Sequence, residues 1–257
     1  MRLFLLFVMC IASTAIAQNP TFGKWSIEHQ DKTLSYRILK PVDFDESKQY
    51  PLHIFLHGAG ERGDDNEAQL VHGSKLFIEQ NSKYPAIVIF PQCPEDDYWA
   101  QTTFSRDEKR GTNVFKYPKQ SKPTWAMSAL IALVDSYLEE DYIDTSRVYL
   151  SGLSMGGMGT FELLARRPNV FAAATPICGG GNPETVSKWA KETPAWIFHG
   201  VEDKVVPAIY SKKMYKAILK EGAKPKLTLY DYVGHNSWGR AFAEKEFLSW
   251  IYSHQRK

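Results

Sequence analysis

Cysteine is scarce in this chain, with three residues among 257, at positions 10, 93 and 178. That is too few for a fold stapled by disulfides. An excess of charge of one sign is also missing. Lys and Arg number 31 against 29 Asp and Glu, a formal net charge of +2, so no broad basic field points to nucleic acid or an anionic membrane. The densest basic stretch, Arg106 to Lys122, is interleaved with polar and aromatic residues and reads as a solvated loop. Internal repeats, low-complexity tracts and interdomain linkers are absent. The glycine run Gly179-Gly180-Gly181 lacks the lysine and the spacing of a phosphate loop. The acidic run Asp64, Asp65 and Glu67 fits no EF-hand spacing, so no metal is expected there.

A long hydrophobic run is missing too. Leu3 to Ile11 is apolar, short of the roughly 20 residues a spanning helix needs. With Arg2 before it and the small-x-small Ala15-Ile16-Ala17 after it, residues 1–17 read as a secretory signal peptide. The expected protein is secreted or periplasmic, begins at Gln18, and has no membrane anchor. Residues 18–257 then suit one domain, and a hydrophobic content of 44% is ordinary for a chain with a real core.

Strand candidates are Leu34–Leu39, Leu52–Leu56, Ala86–Phe90, Val148–Leu150, Ala172–Ile177, Ala195–Phe198 and Lys226–Tyr230. The middle ones are near-continuous apolar runs, as befits strands covered on both faces of a parallel sheet. Helical patterns at Trp125–Glu140, Ile209–Leu219 and Ala241–Tyr252 lie among them. This alternation predicts a doubly wound α/β fold with a mostly parallel sheet flanked by helices, and ligands beyond the C-terminal strand ends. Cys93 and Cys178 follow strands expected three steps apart, about 14 Å at ~4.8 Å per step. A disulfide needs Cα atoms within about 7 Å, so two free thiols are expected. Residues 96–123 break the rhythm and read as a long loop near the mouth of a site.

The informative motif is Gly152-Leu153-Ser154-Met155-Gly156, set directly after the apolar run Val148–Leu150. Glycines two positions either side of a serine are what a sharp strand-to-helix turn demands, because a Cβ at either would collide with the crowded backbone. A serine hydroxyl is a weak nucleophile at neutral pH and needs a base, itself oriented by a third group. Asp203 stands in His199-Gly200-Val201-Glu202-Asp203-Lys204-Val205-Val206-Pro207 after one strand candidate, and His235 in Gly234-His235-Asn236 after the next. The chain order is Ser154, Asp203, His235. Glu202 competes for the acid role, and His199, His57 and His72 for the base; His199 and His57 each precede a glycine at a strand end and read as loop braces. Glu61 and Arg62 are expected to brace the loop after His57 as an ion pair.

On these residues the chain resembles an α/β-hydrolase without a large cap domain. His57-Gly58-Ala59-Gly60-Glu61-Arg62-Gly63 resembles the oxyanion loop of secreted esterases, and His199 through Pro207 resembles a recurring acid-loop pattern. Within that fold the chain is most similar to the secreted feruloyl-esterase-like and polyhydroxybutyrate-depolymerase-like enzymes of carbohydrate esterase family one. The resemblance implies a serine esterase that needs no metal and no cofactor, with Ser154 as nucleophile, His235 as base and Asp203 as its orienting acid. It implies an oxyanion hole of backbone N–H groups from Met155 and from Ala59 or Gly60. Its expected partner is an ester substrate linked to plant polysaccharide, with Trp238 or Trp99 lining the site. A serine peptidase or phospholipase on the same fold, and a non-catalytic carbohydrate-binding protein on a hydrolase scaffold, are the rival readings.

Overall fold

The computed structural model describes residues 20–118 and 122–257. The signal peptide expected over residues 1–17 lies outside the described residues. In chain order the elements are β1 (Gly23–His29), β2 (Lys32–Leu39), β3 (Tyr50–Leu56), α1 (Ser74–Gln80), β4 (Ile87–Pro91), β5 (Thr103–Asp107) and β6 (Thr112–Lys116). There follow α2 (Trp125–Leu138), β7 (Ile143–Leu153), α3 (Met155–Arg166), β8 (Ala173–Ile177), β9 (Trp196–Gly200), α4 (Ile209–Lys220), β10 (Lys226–Tyr230), α5 (Trp238–Phe242) and α6 (Phe247–Tyr252).

Eight strands form one sheet in the order β1-β2-β4-β3-β7-β8-β9-β10. It is parallel from β4 to β10, while β1 and β2 join antiparallel at one edge. Every residue of β3, β4, β8 and β9 is buried, as their continuous apolar sequences require of strands covered on both faces. Helices α2, α3 and α4 pack on one face, and α1, α5 and α6 on the other. Helix α2 starts where Thr124 Oγ1 accepts the Met127 N–H at 3.0 Å, one of the donors that an uncapped helix start leaves unpaired. It buries Met127, Leu130, Leu133, Val134 and Tyr137. This is the α/β-hydrolase architecture, with no large cap among the described residues.

Three elements depart from expectation. Strand β1 is an edge strand, exposed along most of its length, so no hydrophobic alternation announced it. The helix expected over residues 241–252 is broken: α5 starts earlier, at Trp238, and ends at Phe242, and α6 begins at Phe247 after the break at 243–246. The expected loop over 96–123 contains the β5–β6 hairpin, paired Thr103↔Lys116 through Asp107↔Thr112. Its strands carry mostly polar residues, and Phe115 is their one buried residue. Among the described residues, Cys93 and Cys178 are free and buried, just past β4 and β8, two strands separated by β3 and β7.

Candidate active site

Strand β7 runs to Leu153, Ser154 makes the turn, and α3 begins at Met155. Ser154 has φ 54° and ψ −115°, a backbone conformation that costs about 1–3 kcal/mol and persists only where surrounding structure enforces it. The enforcement is steric. A Cβ on Gly152 would stand 2.3 Å from the Gly156 carbonyl oxygen, and one on Gly156 would stand 2.0 Å from the Leu56 carbonyl oxygen. The turn is pinned by Ser154 N–H donating to Ile177 O at 2.9 Å and Met158 N–H donating to Ser154 O at 3.0 Å. The pattern Gly-x-Ser-x-Gly is therefore a packing requirement of this turn.

Adjacent parallel strands β9 and β10 deliver the other two groups from the loops after their C-terminal ends. Ser154 Oγ lies 2.8 Å from His235 Nε2, and His235 Nδ1 lies 2.7 Å from Asp203 Oδ2. A carboxylate only accepts, so Nδ1–H donates to Asp203 and Nε2 presents its lone pair to the Ser154 hydroxyl. Asp203 Oδ1 takes the backbone N–H groups of Val205 and Val206, each at 2.9 Å. Burial by itself would raise the Asp203 carboxyl. Hydrogen bonds from His199 and His235, the charge of His235 and the Val206 N–H outweigh it and hold the group at about 2. Glu202, the rival acid, is exposed.

The histidines flanking the site brace loops. His199 Nε2 donates to Val206 O at 2.7 Å and lies 3.2 Å from Asp203 Oδ2. His57 Nδ1–H donates to Gly58 O at 2.6 Å, and its Nε2 accepts the Cys93 N–H at 2.9 Å. Burial lowers His57 to about 4, so it stays neutral at physiological pH. This fixes the segment after β3 against the elbow: a Cβ on Gly58 would lie 3.6 Å from Ser154 Cβ. Ala59–Glu61 then form one 3-10 turn. The Met155 N–H, in the first turn of α3, belongs to the helix donors without an intrahelical acceptor.

Two expectations for side chains near the site are corrected. Trp99 is fully buried. Its ring lies 5.5 Å from that of His57, so it supports the loop and offers no face to a ligand. Trp238 is half-buried and stands perpendicular to the His235 ring at 5.6 Å, with the His72 ring at 5.1 Å. Glu61 does not pair with Arg62. It lies 3.6 Å from His72 Nε2, whereas Arg62 donates to the carbonyls of Ala59 and Asp97 at 3.0 and 3.2 Å. The acidic run closes a turn, with Asp65 Oδ1 accepting from Glu67 N, Ala68 N and Gln92 Nε2.

Sequence reasoning missed the hairpin's role. Phe115 packs with Ala100, Met158 and Val206. Asn113 Nδ2 donates to Val205 O at 3.0 Å, and the Phe115 N–H donates to Tyr210 Oη at 2.7 Å. The β5–β6 arm thus rests on the loop that carries Asp203. Its one sequence signal was the Phe104 and Phe115 pair, opposed in register with rings 5.4 Å apart. Tyr210→Phe leaves the Phe115 N–H without its acceptor, a loss of about 1–3 kcal/mol where the group stays dry. Thermal unfolding should show a lower melting temperature, with Ser154 still able to take a serine-directed label. Among the described residues, one group of three metal-ligating side chains stands close together: Cys178, Asp203 and His235, with ligand atoms within 4.8 Å of one another.

Comparison with known proteins bears on the family and the fold. A family model described as Phospholipase/Carboxylesterase matches residues 40–252. A bifunctional acetylxylan esterase/xylanase of Neocallimastix patriciarum is 42% identical over 74 residues, 29% of this chain and 11% of that protein. Acyl-protein thioesterase 1 homolog 2 of Dictyostelium discoideum is 29% identical over 179 residues, 66% of this chain and 78% of that protein. A crystal structure of a thermostable esterase superposes with TM-score 0.80 at 31% identity, covering 91% of this chain and 63% of its own. The chain therefore spans a small part of the bifunctional enzyme and under two thirds of the solved esterase.

Proposed function

The chain belongs to the phospholipase/carboxylesterase family, and from that membership we propose that it is a serine carboxylic-ester hydrolase acting through an acyl-enzyme. The observation that carries the reading is the unbroken relay of 2.8 Å and 2.7 Å from Ser154 through His235 to Asp203. His235 Nε2 takes the hydroxyl proton as Ser154 Oγ attacks the ester carbonyl carbon. Backbone N–H groups of Met155 and of Ala59 or Gly60 hold the resulting oxyanion, each such donor lowering the barrier by about 2.7–4 kcal/mol. The tetrahedral adduct collapses, the C–O bond to the alcohol breaks, and His235 Nε2–H protonates the departing oxygen. Water then attacks the acyl group with His235 again as base, and Ser154 is released with its proton restored. No step calls on a cofactor.

We extend the proposal to an exported enzyme whose substrates are acyl esters on plant polysaccharide. The signal-like residues 1–17 and the acetylxylan esterase activity named for the Neocallimastix relative support it. The half-buried Trp238, beside His235, gives a sugar or aromatic acyl group a ring to stack on. Turnover should be compared across p-nitrophenyl acetate, methyl ferulate, acetylated xylan, feruloylated arabinoxylan fragments and aminoacyl anilides. Esters should outrun amides by orders of magnitude, and polysaccharide-linked esters should show the highest kcat/KM. Faster amide cleavage would sink the esterase reading, and indifference to the sugar would sink the polysaccharide one. Trp238→Ala should raise KM for sugar-linked esters roughly 2- to 10-fold, the worth of one aromatic contact, and leave p-nitrophenyl acetate nearly unchanged.

A further inference from the structure

We propose that Cys178, Asp203 and His235 form an inhibitory site for a soft divalent cation, zinc or cadmium, at the base of the relay. The consequence for activity rests on the catalytic reading of His235 given above; the binding itself does not. Cys178 follows β8, beside the strand whose loop carries Asp203. Its φ of 41° is unusual for a residue other than glycine. Its thiol is fully buried and takes no part in the relay. Its sulfur, an Asp203 carboxylate oxygen and a His235 ring nitrogen lie within 4.8 Å of one another.

That spread is close to what a metal would require. With Zn–S near 2.3 Å and Zn–N or Zn–O near 2.0–2.2 Å, two ligands of a tetrahedral ion stand roughly 3.5 Å apart. The widest pair, at up to 4.8 Å, has to draw in by about 1.3 Å, and His235 Nδ1 and Asp203 Oδ2, 2.7 Å apart, have to part by about 0.8 Å to let the ion between them. Charge favours the complex as well. A thiolate and a carboxylate neutralise a divalent ion, so the buried assembly carries no net charge, which avoids the usual penalty for an unpaired ion in a protein interior. Thiolate and imidazole together select zinc and cadmium over magnesium and calcium, which prefer oxygen ligands. Burial, with Asp203 nearby, keeps the thiol protonated in the free protein, so the cation must displace that proton.

Binding also dictates where the His235 proton goes. In the free protein Nδ1 carries it and faces Asp203. A cation on Nδ1 leaves the neutral ring with its proton on Nε2, facing Ser154. Each cation bound releases one proton in net terms, from the thiol. Nε2 can then no longer accept the Ser154 proton, and the serine loses its base. The side chains of Cys178 and Asp203 are shielded, while that of His235 is 20% exposed, so the ion enters past the His235 ring.

The test titrates the full-length protein with cadmium, without substrate, and follows the ultraviolet thiolate-to-cadmium charge-transfer band; parallel samples are assayed on p-nitrophenyl acetate. The band should saturate at one cadmium per chain as activity is lost, and a chelator should reverse both. Magnesium should do neither. Cys178→Ala should lose the band and need at least about 10-fold more cadmium for the same inhibition, while Cys93→Ala should behave as wild type. Should Cys178→Ala fail to fold, Cys178→Ser supplies the same comparison. Inhibition of the Cys178 variant at the wild-type concentration, or a band that persists in it, overturns the proposal. A chain that shows the band yet cleaves no ester leaves the cation site standing and removes the catalytic reading instead.

Discussion

Ser154→Ala is expected to lower ester turnover about 10⁵- to 10⁶-fold with the fold intact. The magnitude follows from what the residue does. Without Oγ no acyl-enzyme forms, and only the oxyanion donors and substrate binding remain, which elsewhere leave a residual 10³- to 10⁴-fold over water. Alanine adds no atoms at a position whose φ is 54°, so the strained turn loses a hydroxyl and gains no clash. His235→Ala should cost a similar factor, and the double variant little more, because nucleophile and base act as one unit. Labelling with a fluorophosphonate probe, read by intact-protein mass, provides the check. Wild type should gain one adduct and Ser154→Ala none, with matching circular dichroism. An alanine variant that labels as well as wild type would remove Ser154 as nucleophile.

How much of this site was legible in the sequence depends on how local its causes are. The elbow was legible because its Gly-x-Ser-x-Gly pattern is compact in sequence: Gly152 is barred from a Cβ by the turn's own Gly156 carbonyl, although Gly156 is barred by the Leu56 carbonyl of β3, which only the fold brings there. Asp203 and His235 were legible through position, each lying just past an apolar strand of a parallel sheet. The β5–β6 hairpin was not, because its strands display polar residues on both faces and gain stability from Phe115 and Tyr210, which are 95 positions apart. Trp99 misled for a related reason. An aromatic residue in a polar stretch suggests a rim, yet the ring fills the space left by Gly159, where a Cβ would stand 2.5 Å from Trp99 Cβ. Cys178 was legible as a free thiol past a strand but not as a neighbour of Asp203 and His235, which reach it on the loops after β9 and β10. Local chemistry could be read off the chain, whereas contacts made by distant loops required the fold.

Asp203→Asn isolates the tautomer on which the relay depends. Two backbone donors, Val205 N–H and Val206 N–H, fix Oδ1 of the acid at 2.9 Å each. Asparagine keeps those bonds only by placing its carbonyl oxygen there. Its amide NH₂ then faces His235 Nδ1, donates to it, and forces the ring proton onto Nε2. Ser154 thereby loses its acceptor, and kcat should fall about 10⁴-fold with little change in KM, as expected when the wrong tautomer is locked in. The pH dependence supplies an independent signature. Asp203 is held at about 2, below the ordinary 3.8, so it stays ionised throughout the working range and the acid limb of the rate profile does not belong to it. A carboxyl lowered on folding contributes stability that is complete above its unfolded value and is lost as pH falls through its folded value. The stability advantage of wild type over Asp203→Asn should therefore hold from neutrality down to about pH 4 and shrink between about 4 and 2. Chemical denaturation at a series of pH values measures this. A gap that stays constant to pH 2 would mean that His199, His235 and the Val206 N–H do not hold the carboxyl in its charged form.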